Sequence, residues 1–327
     1  MRLAFFGSDA IAIPALDYLH WAEGVELAGV ISQPNRPAGR GRHLHANPVA
    51  AWAAAKGVPL LQPEKPGAEE AAWLRAQQVD LVLVMAYGHI LRRELLDTPP
   101  RGMWNLHASL LPKFRGASPV ETAIVAGETE TAVTLMRLVV KMDAGPIADA
   151  ERVPILSTDT GPILRERLAQ ACVPLLQRNL SALGNGSISA QPQDEGQATY
   201  SRKLTKADAP LDWSASATEL ERRVRAFHVW PGAQFEHGGH AIKIGAATAL
   251  SESPPATEPG LILRANADGM DVATGAGVLR VLMLQRPGGR MLEVGEFLCG
   301  YRLTPGERLP GHAARPLLAT APFPRAG

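Results

Sequence analysis

The sequence has few cysteines, few aromatic residues and no long hydrophobic run. Two of its 327 residues are cysteines, Cys172 and Cys299, which lack metal-ligand spacing and cannot form a disulfide framework. No apolar run reaches the roughly 20 residues of a membrane-spanning helix. The N-terminal segment turns polar at Gly7, too early for a secretory signal. These absences predict a cytoplasmic protein with no membrane association.

The composition excludes a chain that stays disordered, because 46% of the residues are hydrophobic and only 20% are charged. A length of 327 residues exceeds what one hydrophobic core usually supports, so two domains are expected. Residues 201–327 hold 15 Lys and Arg against 12 Asp and Glu, whereas the rest of the chain is slightly acidic. This mild asymmetry permits a polyanionic partner for the C-terminal half without establishing one.

An α/β fold is predicted for the N-terminal half, where short apolar runs alternate with helical patterns. Their near-continuous apolar character is typical of parallel strands covered on both faces. The predicted strands are 3–6, 27–32, 81–86, 103–106 and 132–138. The predicted helices are 13–21, 49–56, 68–77, 120–126 and 163–183.

We predict an N-terminal domain over 1–183 and, from its Gly, Ser, Gln and Asp content, a linker over 184–200. A second domain over 201–310 opens with a helix that has the capping-box pattern Ser216-x-x-Glu219. Short alternating segments follow, separated by turns, and predict a small β-barrel. The Pro-, Ala- and Arg-containing end, 311–327, is predicted to be a disordered tail.

Three polar residues could form a catalytic group at the sheet edge. Asn105 and His107 stand two apart on a predicted strand, so their side chains share a face. Asp143 follows the next strand, and ligands of such sheets bind at the carboxyl ends of the strands. Taken singly, each residue is better explained as a turn or hydrogen-bonding residue. In combination they favour a catalytic site.

With these residues, the chain resembles the methionyl-tRNA formyltransferases, a family of the folate-dependent formyltransferase superfamily. The similarity extends over about 3–309, and Asn-x-His is the motif that the superfamily shares. Further matching segments are 5–7, 12–14, 33–42, 62–63, 86–88, 105–112, 115–117, 143–146, 213, 225–227 and 230–231. The first turn, 7–12, departs from the family pattern by losing a proline and an aromatic residue.

The resemblance implies a Rossmann-like N-terminal domain that binds 10-formyltetrahydrofolate, with Asn105, His107 and Asp143 catalytic. An amide and an imidazole could stabilise the negative oxygen of a tetrahedral intermediate, and Asp143 could orient His107 and transfer protons. The residues implied in tetrahydrofolate binding are Ser109, Leu110, Leu111, Pro112, Met85, Ala86, Tyr87, Gly88, His89 and Ile90. No G-x-G-x-x-G follows the first strand, so we predict no NAD, and no metal-binding motif is present.

A basic segment, 34–45, contains Arg36, Arg40 and Arg42 and no acidic residue, and its Gly and Pro residues predict a mobile loop. On charge alone, a solvated surface loop is the better interpretation. The resemblance implies that the loop enters the acceptor stem of tRNA, with Arg40 as the leading contact. It also implies an oligonucleotide-binding (OB-like) barrel, with Lys203 and Lys206 as candidate phosphate contacts.

The expected function is formyl transfer from 10-formyltetrahydrofolate to the amino group of initiator methionyl-tRNA, by a monomer, for translation initiation. Three alternatives remain open. A formyltransferase for a sugar nucleotide or glycinamide ribotide would use the same three residues but would not require the basic loop or the second domain. A folate hydrolase would use water as acceptor. A catalytically inactive RNA-binding protein would not need Asn105, His107 and Asp143 together.

Overall fold

The computed structural model describes residues 1–38, 43–250 and 258–324. The elements of the N-terminal half, in chain order, are β1 (Arg2–Gly7), α1 (Ile13–Trp21), β2 (Glu26–Ile31), β3 (Arg36–Ala38), β4 (His43–His45), α2 (Pro48–Lys56), β5 (Leu60–Leu61), α3 (Ala68–Ala76), β6 (Leu81–Met85), α4 (Arg93–Leu96), β7 (Met103–His107), β8 (Arg115–Gly116), α5 (Pro119–Ala126), β9 (Glu130–Arg137), β10 (Ile147–Pro154) and α6 (Gly161–Asn185).

A seven-stranded sheet in the order β10-β9-β7-β6-β1-β2-β5 forms the centre of this half. The strands from β7 to β5 pair in parallel, whereas β9 and β10 are antiparallel to their neighbours. The predicted α/β class and its Rossmann-like parallel sheet are therefore confirmed. The prediction that all five apolar strands are parallel is wrong for β9, which returns directly beside β7 through a short helix and loop.

Helices cover both faces of the sheet, which explains the continuous apolar runs. Leu3 and Phe5 of β1 enter one hydrophobic cluster, and Ala4 and Phe6 enter the cluster on the opposite face. All four residues are fully buried. The long helix α6 packs against α1, β9 and β10. Burial on both faces requires apolar residues at successive positions, not only at alternate ones.

The C-terminal half contains β11 (Tyr200–Ser201), α7 (Ala217–Ala226), β12 (Gln234–His237), β13 (His240–Leu250), β14 (Ile262–Asn266), β15 (Gly269–Ala273), β16 (Val278–Gln285), β17 (Leu292–Glu293), α8 (Val294–Gly300) and β18 (Leu318–Ala319). Strands β12, β13, β16, β15 and β14 pair antiparallel in that order, with β17 against β16, and form a curled, barrel-like sheet. Trp213 and Phe235 are buried in its separate hydrophobic core. The predicted small barrel is thus confirmed as a curled sheet.

Helix α7 connects the barrel-like sheet to the N-terminal half. Ser216 caps it by accepting a hydrogen bond from the Glu219 N–H at 3.2 Å, so the predicted N-cap is confirmed, while the Glu219 carboxylate accepts a hydrogen bond from Arg223. The helix packs on both β13 and α5. Arg225 also donates to the backbone carbonyl of Asp159 at 2.8 Å, so the helix is fixed to the N-terminal half.

The segments predicted as a linker and a disordered tail are structured. Helix α6 continues into the predicted linker as far as Asn185, and β11 lies between β8 and β18 in a three-stranded sheet. The tail prediction is wrong for 311–324, because Leu317 is buried and the Ala314 N–H donates to Asp212 at 2.9 Å. These contacts order the segment, although its Pro, Ala and Arg content predicted disorder. Residues 325–327 lie outside the described part.

The predicted basic loop contains a two-stranded antiparallel ribbon, because β3 pairs with β4. The prediction of a loop without strand structure is therefore wrong for these six residues. Arg36 also pairs with Glu64 at 2.6 Å, an acidic residue outside the basic segment. Residues 39–42, which include Arg40 and Arg42, lie outside the described residues.

Candidate active site

Asn105 and His107 occupy one face at the end of β7, as their spacing predicted. His107 is buried and Asn105 is half-buried. Within the described part of the chain, the Asn105 side-chain amide has no hydrogen-bond partner. Its N–H and C=O groups therefore remain available to a bound molecule.

The His107 ring is held by a contact with the backbone. Its Nε2 lies 3.1 Å from the carbonyl oxygen of Phe114. Because a carbonyl oxygen only accepts, Nε2 must carry the hydrogen in this contact. The other ring nitrogen, Nδ1, lies 3.9 Å from Oδ2 of Asp143, which is too far for a direct hydrogen bond. A water molecule or a substrate group can bridge such a distance.

Asp143 reaches His107 by a route that the sequence did not predict. Its strand, β9, is antiparallel to β7, so the loop 138–146 must fold back towards the carboxyl end of β7. The Asp143 backbone adopts a φ of +49°, which is uncommon for a residue other than glycine. Its Oδ2 accepts a hydrogen bond from the Gly116 N–H at 2.8 Å. The expected proximity is present, although its expected topological cause is wrong.

Two polar residues beside Asp143 were not selected from the sequence as site residues. Gln193 donates to the carbonyl oxygens of Asp143 and Gly145 at 2.8 and 2.7 Å. Arg115, fully buried, donates to Gln193 and to Glu195. Gln193 fell within the predicted linker, where nothing in its local pattern indicated a contact 50 residues away. For Arg115 the match of 115–117 to the family was the only signal.

The charge of Arg115 is maintained despite its burial. Burial alone would lower the pKa of this guanidinium, but hydrogen bonds to Glu195 and Tyr200 hold it above its ordinary value. Hydrogen bonds from Arg115 and Lys141 lower the pKa of Glu195 to about 2. Arg115, Glu195 and Lys141 therefore form a network of charged groups next to the Asp143 loop.

The first predicted folate segment, residues 109–112, forms a compact turn after β7. Ser109 is fully buried, and its hydroxyl donates to the Lys113 carbonyl at 2.7 Å. Thr134 donates to the Ser109 carbonyl at 2.6 Å. Leu111 is buried, whereas Leu110 and Pro112 are half-buried. These hydrogen bonds assign the Ser109 side chain to the turn itself, and folate contact by this segment stays a prediction.

The second predicted folate segment, residues 85–90, follows β6 at the same sheet edge. Met85 and Tyr87 are buried, His89 is half-buried, and the other three positions, Ala86, Gly88 and Ile90, are exposed. Gln33 and Ser8 both donate to the Tyr87 carbonyl, at 2.8 and 3.3 Å. These bonds join the turns that follow β1, β2 and β6. Contact of this segment with a pterin ring also stays a prediction.

The turn that departs from the family pattern contains an ion pair. Asp9 accepts a hydrogen bond from the Ile11 N–H at 3.0 Å and pairs with Arg165 at 2.9 Å. Arg165 also pairs with Glu121 at 3.3 Å. The turn is thus linked to helices α5 and α6 by charge.

Lys203 and Lys206 are exposed, and neither makes an ion pair within the residues that the structure describes.

Among the described residues, no group of three or more His, Cys, Asp or Glu side chains could hold a metal ion. None of the helices in 1–38, 43–250 and 258–324 combines the length and hydrophobicity of a membrane span.

Comparison with family models identifies the class of enzyme. A model described as formyl transferase matches residues 1–180, and one described as formyl transferase, C-terminal domain, matches residues 203–302. The chain therefore belongs to the formyl transferase family.

Similar proteins extend over the whole length. The chain is 44% identical over 324 residues to the methionyl-tRNA formyltransferase of Ralstonia nicotianae, covering 96% of this chain and 99% of that protein. It is 44% identical over 310 residues to the methionyl-tRNA formyltransferase of Xanthomonas axonopodis pv. citri, covering 94% of this chain and 100% of that protein.

A solved structure shares the fold at low sequence identity. The N-formyltransferase from Helicobacter canadensis, in complex with folinic acid and dTDP-3-aminofucose, aligns with a TM-score of 0.66 and 18% identity. The alignment covers 86% of this chain and 99% of that chain. This similarity supports the architecture described above.

Proposed function

We propose that this protein transfers the formyl group of 10-formyltetrahydrofolate to the amino group of methionyl-tRNA and thereby provides formylmethionyl-tRNA for translation initiation. The observation that carries this proposal is the 44% identity to the Ralstonia methionyl-tRNA formyltransferase over 96% of this chain and 99% of the relative. Because the similarity includes both halves, it extends to the domain beyond the catalytic fold. We further propose that the protein acts in the cytoplasm as a monomer.

In the proposed mechanism, the neutral amine of the aminoacyl group attacks the formyl carbon and forms a tetrahedral intermediate with a negative oxygen. Asn105 donates its free amide N–H to this oxygen. His107, fixed through Nε2 to the Phe114 carbonyl, presents Nδ1 towards the space beside Asp143. When protonated, Nδ1 donates to the same oxygen. One preorganised donor of this kind is worth about 3–4 kcal/mol.

Asp143 moves the protons in this proposal. The attacking nitrogen must lose a proton, and the folate nitrogen must gain one before the carbon–nitrogen bond breaks. The Asp143 carboxylate, 14% exposed, lies at the edge of the site and can exchange a proton through a water molecule. The intermediate then collapses to the formylated amine and tetrahydrofolate, so that atoms and charges balance.

The regions proposed to bind folate and tRNA are assigned from the polarity and charge of their residues. A flat pterin suits the apolar and backbone-polar surface of 85–90 and 109–112 at the sheet edge. The tRNA would contact Arg36, Arg40 and Arg42 of the basic segment, together with Lys203 and Lys206 beside β11. Guanidinium groups and exposed ammonium groups suit phosphate contacts. Arg36 must first release Glu64.

A test incubates the purified protein with formyl-labelled 10-formyltetrahydrofolate and one acceptor at a time. The acceptors are methionyl-tRNA, uncharged tRNA, a dTDP-amino sugar, glycinamide ribotide and buffer. We expect label only in methionyl-tRNA, as formylmethionine after hydrolysis of the ester. Label in a small amine would assign another acceptor to the same chemistry, and rapid formate release in buffer would indicate a hydrolase. The absence of transfer to every acceptor would contradict the catalytic proposal.

A further inference from the structure

Gln193 joins the Asp143 loop to the buried guanidinium of Arg115. We propose that Gln193 is a positioning residue that holds the Asp143 loop in its reactive conformation. This inference rests on the proposed catalytic role of Asp143. Gln193 itself contacts neither Asn105 nor His107 and would act only through the loop.

The side-chain amide of Gln193 bridges two carbonyl groups of the loop. Its Nε2 lies 2.8 Å from the Asp143 carbonyl oxygen and 2.7 Å from that of Gly145. An amide nitrogen carries two hydrogens, so each carbonyl receives one. Replacing the side chain removes both bonds at once and leaves two backbone acceptors without this donor.

The loop conformation needs such support because it is tight and uncommon. Asp143 has a φ of +49°, in the left-handed region that is unfavourable for residues other than glycine. At Gly145, a Cβ atom would lie 1.7 Å from the Arg137 carbonyl oxygen, so the backbone is too close for any side chain. The two carbonyls bound by Gln193 belong to these two residues.

Arg115 fixes the orientation of the Gln193 amide. Its Nε and Nη2 donate to Gln193 Oε1 at 3.1 and 2.8 Å. Because a guanidinium has only donors, it must face the amide oxygen, and the amide nitrogen must then face the loop. Glu195 receives two further bonds from Arg115, at 3.0 and 3.1 Å, which hold the guanidinium in place.

Strand β8, which contains Arg115, also holds the carboxylate of Asp143. Gly116, next to Arg115 in β8, donates its N–H to Asp143 Oδ2 at 2.8 Å. The backbone of Asp143 is therefore fixed through Gln193 and its carboxylate through Gly116. Without the hydrogen bonds from Gln193, the Asp143 carboxylate is attached to a loop whose backbone can shift. A misplacement of about 1 Å can reduce a rate by about 100-fold.

The test compares Gln193→Leu and Gln193→Glu with the control Gln197→Leu. Gln193→Glu keeps an acceptor for Arg115 but offers no donor to the two carbonyls, so it preserves the ion network while removing the tether. Gln197 is an exposed glutamine of the same segment, and its amide donates a hydrogen bond to the exposed Asp194. The assay measures kcat and both KM values for formyl transfer to methionyl-tRNA, between pH 6 and 9.

We expect both Gln193 variants to lose about 10-fold to 100-fold in kcat, with a changed pH profile and both KM values within about twofold of wild type. Gln197→Leu should match wild type. In an Asp143→Asn background, Gln193→Leu should add less than about a twofold loss, because the group that it positions is already absent. If Gln193→Leu does not fold, Gln193→Glu tests the same expectations in the wild-type and Asp143→Asn proteins.

An unchanged kcat in either folded Gln193 variant would overturn the inference. The inference would also be overturned if the kcat losses of Gln193→Leu and Asp143→Asn multiplied fully in the double variant. A change in KM with no loss of kcat would overturn it as well. Failure of the proposed function is a separate result, since wild-type protein would then not formylate methionyl-tRNA at all.

Discussion

Nδ1 of His107 lies 3.9 Å from Oδ2 of Asp143, while the opposite ring nitrogen is 3.1 Å from the Phe114 carbonyl oxygen. The imidazole is thus fixed on one side and separated from the carboxylate on the other. This separation leaves room for a shared water molecule or a substrate group, and it is too long for a direct hydrogen bond. In the proposed reaction, the two groups act on a bound molecule between them.

Replacing Asp143 with asparagine should reduce kcat by about 10²-fold to 10⁴-fold, the range for a general acid–base group. The asparagine oxygen can still accept the Gly116 N–H, so the loop should keep its position. Single-turnover rates measured against pH would check this expectation, with the thermal midpoint as a folding control. A rate within threefold of wild type would remove proton transfer from the role of Asp143.

Replacing Asn105 with alanine should lower kcat by about 10²-fold to 10³-fold, because it removes one donor to the oxyanion. The thermal midpoint should change little, since the amide has no partner within the described residues. Steady-state kinetics would separate kcat from the KM of each substrate. An effect found only in the folate KM would make Asn105 a binding residue.

The sequence predicted those parts of the site that depend on local periodicity. Strand alternation correctly placed Asn105 and His107 on one face. Gln193 could not be selected, because its contact with the Asp143 loop is set by packing across 50 residues. Strand β10 was missed because its residues are mostly half-buried and include Asp149, Glu151 and Arg152, so no apolar run marks it.

Charge pairs and edge pairing also depend on tertiary structure. The basic segment contains no acidic residue, yet Glu64 reaches Arg36 from a later segment. In the C-terminal segment, Leu317 lies among Pro, Ala and Arg residues without periodicity. Its burial in the main core and the pairing of the adjacent strand β18 with β11 are both tertiary contacts. Propensity could not predict either contact.

Replacing Asp208 with asparagine should destabilise the protein by about 2 kcal/mol at neutral pH, as expected for lost hydrogen bonds to charged groups. Asp208 is buried and pairs with Arg202 at 2.6 Å and with Arg315 of the C-terminal segment at 3.4 Å. Denaturant unfolding would measure the change. Asp268→Asn, in an exposed turn, is a matched control that should leave stability unchanged.

The contribution of Asp208 should also depend on pH. Burial raises the pKa of this carboxyl, but hydrogen bonds from Arg202 and Thr205 outweigh burial and lower it from 3.8 to about 2. Its stabilisation is therefore complete above pH 3.8 and is lost as the pH falls towards 2. The stability difference between wild type and Asp208→Asn should shrink over this interval. A constant difference would contradict the assigned ion pairs.

Lys203→Ala and Lys206→Ala should each weaken tRNA binding and reduce the slope of log affinity against log salt by about 1, because each removes one phosphate contact. Filter binding of methionyl-tRNA at several salt concentrations would measure the slope. Lys56→Ala, at the end of α2 beside Asp17, provides a control that should not alter it. Unchanged slopes would place the tRNA elsewhere.

The central claim is tested most directly by mixing the protein, in excess, with formyl-labelled 10-formyltetrahydrofolate and methionyl-tRNA, and by following label into formylmethionyl-tRNA in one turnover. We expect transfer by the wild-type protein and a loss of at least about 10²-fold in His107→Ala, whose imidazole lies beside Asp143. Transfer at the wild-type rate by His107→Ala, or no label in methionyl-tRNA with the wild-type protein, would contradict the account.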